Sequence, residues 1–160
     1  MIGVIVRPAA IEEADALSAL ANRSKASWGY DAAQIAAAPI RVEAAAIAEG
    51  WVWVAQDRRR KVLGVASLAR TKTAGVIDLD ALFVEPSVQR EGVGEALMDH
   101  VSRMARALGA AALRIESDPN AVGFYERLGA RRVGEARSAW GRMLPVYELP
   151  LKERGDVEGV

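Results

Sequence analysis

The stretch Asp80-Ala-Leu-Phe-Val-Glu-Pro-Ser-Val-Gln-Arg-Glu-Gly-Val-Gly-Glu-Ala-Leu97 constrains this chain more than any other. Its apolar start reads as a buried strand, Pro86 stops it, and a turn bearing Gly92 and Gly94 leads directly into a helix. Those glycines let the backbone turn tightly and come close to a ligand. The first amides of the following helix have no internal acceptor and lie at the positive end of its dipole, a ready seat for phosphate. A dinucleotide fold is excluded because Leu97 takes the third glycine position. An ATP-binding P-loop is excluded because its Gly-Lys-Ser/Thr ending is absent. What remains is Gln-x-x-Gly-x-Gly behind a strand.

Composition narrows the chemistry further. The 160 residues include no cysteine, which removes disulfides, thiolate zinc sites, iron–sulfur clusters and cysteine nucleophiles. A single histidine, His100, excludes multi-histidine metal sites, so no metal is expected; it falls mid-helix, on a stripe expected to be solvated. The 21 Lys and Arg balance the 21 Asp and Glu, so net charge favours neither nucleic acid nor anionic lipid as a partner. The run Arg58-Arg59-Arg60-Lys61 therefore reads as a solvated hairpin turn. No apolar run approaches the ~18 residues that span a bilayer. Met1 to Pro8 shows no charged leader followed by a long apolar stretch, and a cytoplasmic protein without a membrane partner is expected.

Along the chain, Ile2–Arg7 reads as a strand, and helical patterns follow over Ala9–Arg23, Ala32–Ala38 and Val42–Glu49. Trp51–Gln56, Val62–Arg70 and Val76–Val84 are strands. A helix runs to Leu108 with an apolar face of Val93, Ala96, Leu97, Val101, Met104 and Leu108. Ala111–Glu116 is a strand, Ala121–Leu128 a short helix, and Arg131–Glu135 and Val146–Leu151 are the last strands. The order β-α-α-β-β-β-α-β-α-β-β predicts an α/β (α+β) mixed sheet with helices on both faces. One domain over 1–151 and a polar tail over 152–160 are expected.

Gln89-Arg90-Glu91-Gly92-Val93-Gly94 is similar to the pyrophosphate loop of the GCN5-related N-acetyltransferases (GNAT). Leu82-Phe83-Val84 resembles that family's splayed, pantetheine-holding strand. Asp118-Pro-Asn-Ala-Val-Gly-Phe-Tyr-Glu-Arg-Leu-Gly129 resembles its second cofactor segment. The resemblance implies the acyl-CoA N-acyltransferase (GNAT) fold and transfer of acetyl from acetyl-CoA to an amine. It implies that Gln89 to Gly94 and Glu95 hold the pyrophosphate, and that Leu82, Phe83 and Val84 hold pantetheine. Tyr125 stands where the family's tyrosine sits near the thioester sulfur. Asp118 occupies a position that is often asparagine, with Asn120 two residues on, and which of them touches the pantetheine arm stays open.

Without cysteine, direct attack of the amine on the thioester within a ternary complex is favoured. Tyr125, with an ordinary pKa of ~10, would protonate the leaving thiolate. The Val84 N–H would steady the thioester oxygen. Asp78 and Asp80 alternate along one strand and share a face with Leu82 and Val84. Either accepts the amine's proton, directly or through water, or forms an ion pair with a neighbouring arginine. Trp28 and Tyr30 would wall the acceptor or hold its cation against their π faces, and Arg142 would meet an acceptor carboxylate. A small-molecule amine is the expected acceptor. The alternatives are an N-terminus or lysine of a protein and, in another class, a non-catalytic CoA-binding sensor. The family resemblance also implies a possible homodimer.

Overall fold

Short runs of β-branched and leucine residues become strands, and alanine-rich stretches between them become helices, as their propensities direct. The computed structural model describes residues 3–138 and 141–152; Ile2 of the expected first strand, Trp140 and the tail beyond Lys152 lie outside the described residues. The elements are β1 (Ile5–Pro8), α1 (Ala14–Ala26), α2 (Ala32–Ala37), α3 (Ala44–Ala48), β2 (Val52–Gln56), β3 (Val62–Arg70) and β4 (Val76–Val84). They continue as α4 (Val93–Ala107), β5 (Ala112–Glu116), α5 (Val122–Arg127), β6 (Arg131–Arg137) and β7 (Met143–Pro150). The seven strands form one mixed sheet in the order β1-β2-β3-β4-β5-β7-β6. This is the expected order, with the helical region before β2 in three pieces. Pro39 follows α2, and Gly50, at φ 82°, lets the chain leave α3.

The chain groups into two compact units whose boundaries fall inside β3, β4 and α4. In the first, residues 1–68 and 80–101, α1 buries Leu17, Leu20, Ala21 and Ser24, the one-faced spacing of a helix. Its leucines pack with Val42, Ile47, Val52, Val54 and Val65, and Phe83 lies against this cluster. Each such buried side chain contributes roughly 1.5–3 kcal/mol. Ahead of α1, Arg7 grips Glu13 through two bonds of 2.8 and 2.9 Å, and Glu13 also accepts the Ala10 N–H at 2.8 Å. At the β2–β3 turn, one Asp57 oxygen accepts the Arg59 and Lys61 N–H groups at 2.8 and 2.9 Å, so the basic run is a braced, exposed turn.

Gly64 sets how closely β3 comes to its neighbours. A Cβ there would stand 2.9 Å from Leu97 Cδ1, 3.1 Å from the Phe83 carbonyl oxygen and 3.1 Å from Val93 Cγ1. Glycine is the residue that lets the end of β4 and the first turn of α4 lie this close.

In the second unit, residues 69–79 and 102–160, β5 pairs parallel with the start of β4 over Val76–Asp78 and antiparallel with β7. Leu113 faces Leu149 and Ile115 faces Tyr147 across that ladder. The expectation that Pro145 precedes the last strand is corrected, since β7 begins at Met143. Pro145 pairs with Glu135, and its carbonyl accepts the Ser117 N–H at 2.9 Å, so the ladder continues past the missing donor.

Two details of α4 also differ from expectation. Its buried positions are Val93, Leu97, Met98, Val101 and Ala105, whereas Leu108 is 55% exposed beyond the helix end. His100 is half-buried rather than solvated, its ring edge-on to Trp53 at 5.9 Å.

Two outcomes are expected. Gly64→Val should cost about 1–3 kcal/mol by overpacking, seen as a lower urea midpoint with unchanged slope. Glu13 is held below the usual glutamate value of 4.5, first by the Arg7 hydrogen bond. Its stabilising contribution is therefore complete above that value and fades as pH falls through the lower folded-state value. Glu13→Gln should flatten the acid limb of stability measured between neutral pH and pH ~3.

Candidate active site

In the first unit, β4 gives way at Glu85 to a single 3-10 turn, Pro86–Val88, followed by Gln89. Arg90 (φ 67°) and Gly92 (φ 88°) are both left-handed, and this pair of turns aims the chain into α4. The left-handed state costs a non-glycine residue roughly 1–2 kcal/mol. The Ala96 N–H makes a 3.0 Å bond to the Gly92 carbonyl. The amides of Val93, Gly94 and Glu95 thus belong to the first turn, which has no acceptors inside the helix. They and the helix dipole present positive potential at the glycine turn. The fifteen-residue α4 carries its own acidic Glu95 in this first turn, exposed to solvent.

The end of α1 braces the start of this loop at two points. Arg23 forks onto Glu85 through bonds of 3.0 and 2.9 Å. Gln89 Nε2 donates to Ser27 Oγ at 3.4 Å, and Ser27 Oγ donates to the Ser24 carbonyl at 2.6 Å. Leu82, Phe83 and Val84 are half-buried at the end of β4, and the Glu85 N–H donates to the Leu63 carbonyl at 2.8 Å. Asp80 is exposed, with Ser67 Oγ 3.5 Å from its Oδ2.

Trp28 and Tyr30 are brought together around a residue of the chain itself. Lys25 Nζ lies 5.6 Å from the Trp28 ring centroid and 4.9 Å from that of Tyr30. Trp28 also tilts against Phe83 at 6.5 Å.

In the second unit, Asp118 is the hub. Its Oδ1 accepts the Asn120 backbone and side-chain N–H groups, each at 2.8 Å, and Arg142 Nη2 stands 3.5 Å from Oδ2. The Asp118 side chain is only 6% exposed, whereas that of Arg142 is 43% exposed. Arg142, expected to meet an acceptor carboxylate, stands beside a carboxylate of its own chain. Tyr125, on α5, is 7% exposed with Phe124 edge-on at 5.2 Å. Burial, and secondarily the charge of Asp118, push its phenol above the usual tyrosine value of 10.0, so it is protonated at neutral pH. Asp78 takes the ion-pair role left open above: Arg114 Nη1 is 3.4 Å from Asp78 and 3.4 Å from Glu116.

Gly64, Lys25, the Arg23–Glu85 fork and the hub role of Asp118 are functional features that the motifs do not single out. A glycine inside an apolar strand was a usable signal for the first, and the i, i+3 spacing of Lys25 and Trp28 for the second. The fork spans 62 residues of sequence and left no local trace.

Asp118→Ala should cost about 1–3 kcal/mol, read as a lower midpoint in urea. Because Tyr125 holds its proton more tightly folded than unfolded, stability should fall as pH rises above 10.0. Tyr125→Phe should lessen that alkaline loss in pH-dependent melts; Tyr147, also raised by its bond to Glu126, keeps a share of it.

No described helix is long and apolar enough to cross a membrane. A sequence model of the family described as acetyltransferase (GNAT) domain matches residues 24–146. The peptidyl-lysine N-acetyltransferase YjaB of Escherichia coli (strain K12) is 31% identical over 102 residues, 63% of this chain and 64% of that protein. The chain thus spans under two-thirds of that relative's length. The ribosomal-protein-S18-alanine N-acetyltransferase of Escherichia coli matches with a TM-score of 0.67 and 18% identity over 96% of this chain and 97% of its own. The N-acetylglutamate synthase of Neisseria gonorrhoeae, solved with coenzyme A and N-acetyl-glutamate, gives 0.72 and 20% over 96% and 36%. At these identities the solved structures speak for the fold.

Proposed function

The chain belongs to the GNAT acetyltransferase domain family, and on that premise we propose that it is an acetyl-CoA-dependent N-acetyltransferase. The observation that carries this reading is the loop in which left-handed Arg90 and Gly92 deliver the chain to the N-terminus of α4. Amides of the first turn suit phosphate oxygens. In this reading Gln89 to Glu95 receive the pyrophosphate, Leu82, Phe83 and Val84 hold the pantetheine arm, and Asn120 supports it.

Transfer is direct, since no cysteine exists to form an acyl-enzyme. The Val84 N–H steadies the oxygen that becomes negative as the amine nitrogen bonds to the carbonyl carbon. Tyr125, protonated and buried, delivers a proton to the departing thiolate. Asp80, exposed on β4, takes the amine's proton, directly or through water.

The acceptor we propose is a primary alkylamine, and lysine of a protein is favoured over a free small amine. Two observations support that order: the relative that is 31% identical is named for peptidyl-lysine, and Trp28 and Tyr30 accommodate a lysine ammonium. The chain spans only part of that relative, so this rests on the matched region. A homodimer is a further part of the proposal, supported by Val133 (58% exposed) and Met143 (47% exposed); light scattering tests it.

CoA release measured with lysine-containing peptides and with small amines should favour the peptides. Tyr125→Phe should lower kcat by a factor on the order of 10² while leaving acetyl-CoA binding intact. Unchanged turnover in that variant would remove Tyr125 from the mechanism. Binding of acetyl-CoA without CoA release for any amine would favour the sensor reading.

A further inference from the structure

We propose that Trp28 and Tyr30 form a recognition site for an alkylammonium cation, with Lys25 as its resident occupant, which an incoming ammonium displaces. The inference deepens the reading of this face as the acceptor side. Both Lys25–ring distances, 5.6 and 4.9 Å, fall within the ~6 Å over which a ring's quadrupole attracts a cation.

The backbone builds this arrangement. Lys25 lies in the last turn of α1, and Trp28 follows three residues later on the same side. The Trp28 N–H donates to the Lys25 carbonyl at 3.1 Å, fixing that turn. Gly29, at φ 94°, then reverses the chain and brings Tyr30 onto the same ammonium. Phe83 backs Trp28 at 6.5 Å, so its ring is anchored to the strand proposed to hold pantetheine. Arg23, the neighbouring cation on α1, is occupied by its fork on Glu85.

Lys25, Trp28 and Tyr30 are all half-buried, so the rings remain open to solvent on one side. A lysine ammonium is a compact charge on a flexible stem. It can leave the rings for water, and a ligand ammonium can take its place. The resident lysine then acts as a competitor, reducing the apparent affinity of any cationic ligand by the fraction of time it occupies the site. It also selects ligand chemistry: primary or methylated ammonium groups on an alkyl chain fit, and neutral groups of equal size gain nothing from the rings.

The test is binding of tetramethylammonium chloride, followed by saturation-transfer NMR at constant ionic strength, with tert-butanol as the neutral probe of similar shape. Lys25→Met keeps an unbranched stem and removes the charge. It should bind tetramethylammonium at least fivefold more tightly than the unaltered protein, with no gain for tert-butanol. Adding Trp28→Leu should abolish the gain; if that double variant does not fold, Tyr30→Leu serves the same comparison. Equal affinity in Lys25→Met and the unaltered protein would overturn the proposal, as would an equal gain for tert-butanol. This readout needs no acetyl transfer. Cation binding without turnover would defeat the enzymatic reading and leave this site standing, and turnover without cation binding would do the reverse.

Discussion

The first turn of α4 carries amides that have no acceptor inside the helix, and the structure around it holds them at the mouth of a glycine turn. That requirement reaches back through the fold. The chain must enter the helix through two left-handed residues, one of them an arginine. Gly64 must lack a side chain so that Val93, Leu97 and the Phe83 carbonyl can crowd against β3. The Arg23–Glu85 fork and the Gln89–Ser27 bond tie the loop to the end of α1. A helix terminus alone is a common feature. A terminus whose entering loop is tied twice to α1 and passes through a left-handed arginine is a built one.

Charge is handled in the same manner across both units. Three acidic groups each have a partner within their own unit: Asp78 has Arg114, Glu85 has Arg23, and Asp118 has Asn120 and Arg142. Half-exposed pairs such as Asp78–Arg114 contribute little to stability, so their value lies in orientation. Asp118, only 6% exposed, does more. Where the family resemblance allows an asparagine, a carboxylate orders the turn before α5, holds an arginine, and adds negative charge beside the Tyr125 phenol. Burial, and secondarily that charge, keep the proton on a group proposed to donate it.

Much of this was legible in the sequence because its signals are local. Pro86, Gly92 and the apolar period of α4 lie within one short stretch, and Phe124-Tyr125 follows at the spacing the family resemblance requires. Boundaries were less legible where tertiary pairing overrides a local breaker. Pro145 sits inside β7 because its carbonyl, not its missing N–H, serves the ladder. His100 turned inward because Trp53, 47 residues earlier, offers it a ring. The partners of Asp78 and Arg142 come from separate elements, and periodicity carries no information about them. Trp28 and Tyr30 were readable as a cation-binding pair, but not the lysine that already sits on them.

The central claim is that the turn before α4 binds the phosphates of acetyl-CoA, and the most direct measurement is the thermal midpoint with and without that ligand in the unaltered protein and in Gly92→Glu. A ligand confined to the folded state adds ~2.7 kcal/mol at a hundredfold excess over its Kd, which is several degrees for a domain of this size. Gly92→Glu places a carboxylate at the seat of the phosphates and strains a left-handed position, so its own midpoint will be lower; the increment on adding ligand is what decides. A rise in the unaltered protein that is lost in the variant is the expected result. No rise in either, or the same rise in both, would contradict the assignment of this turn.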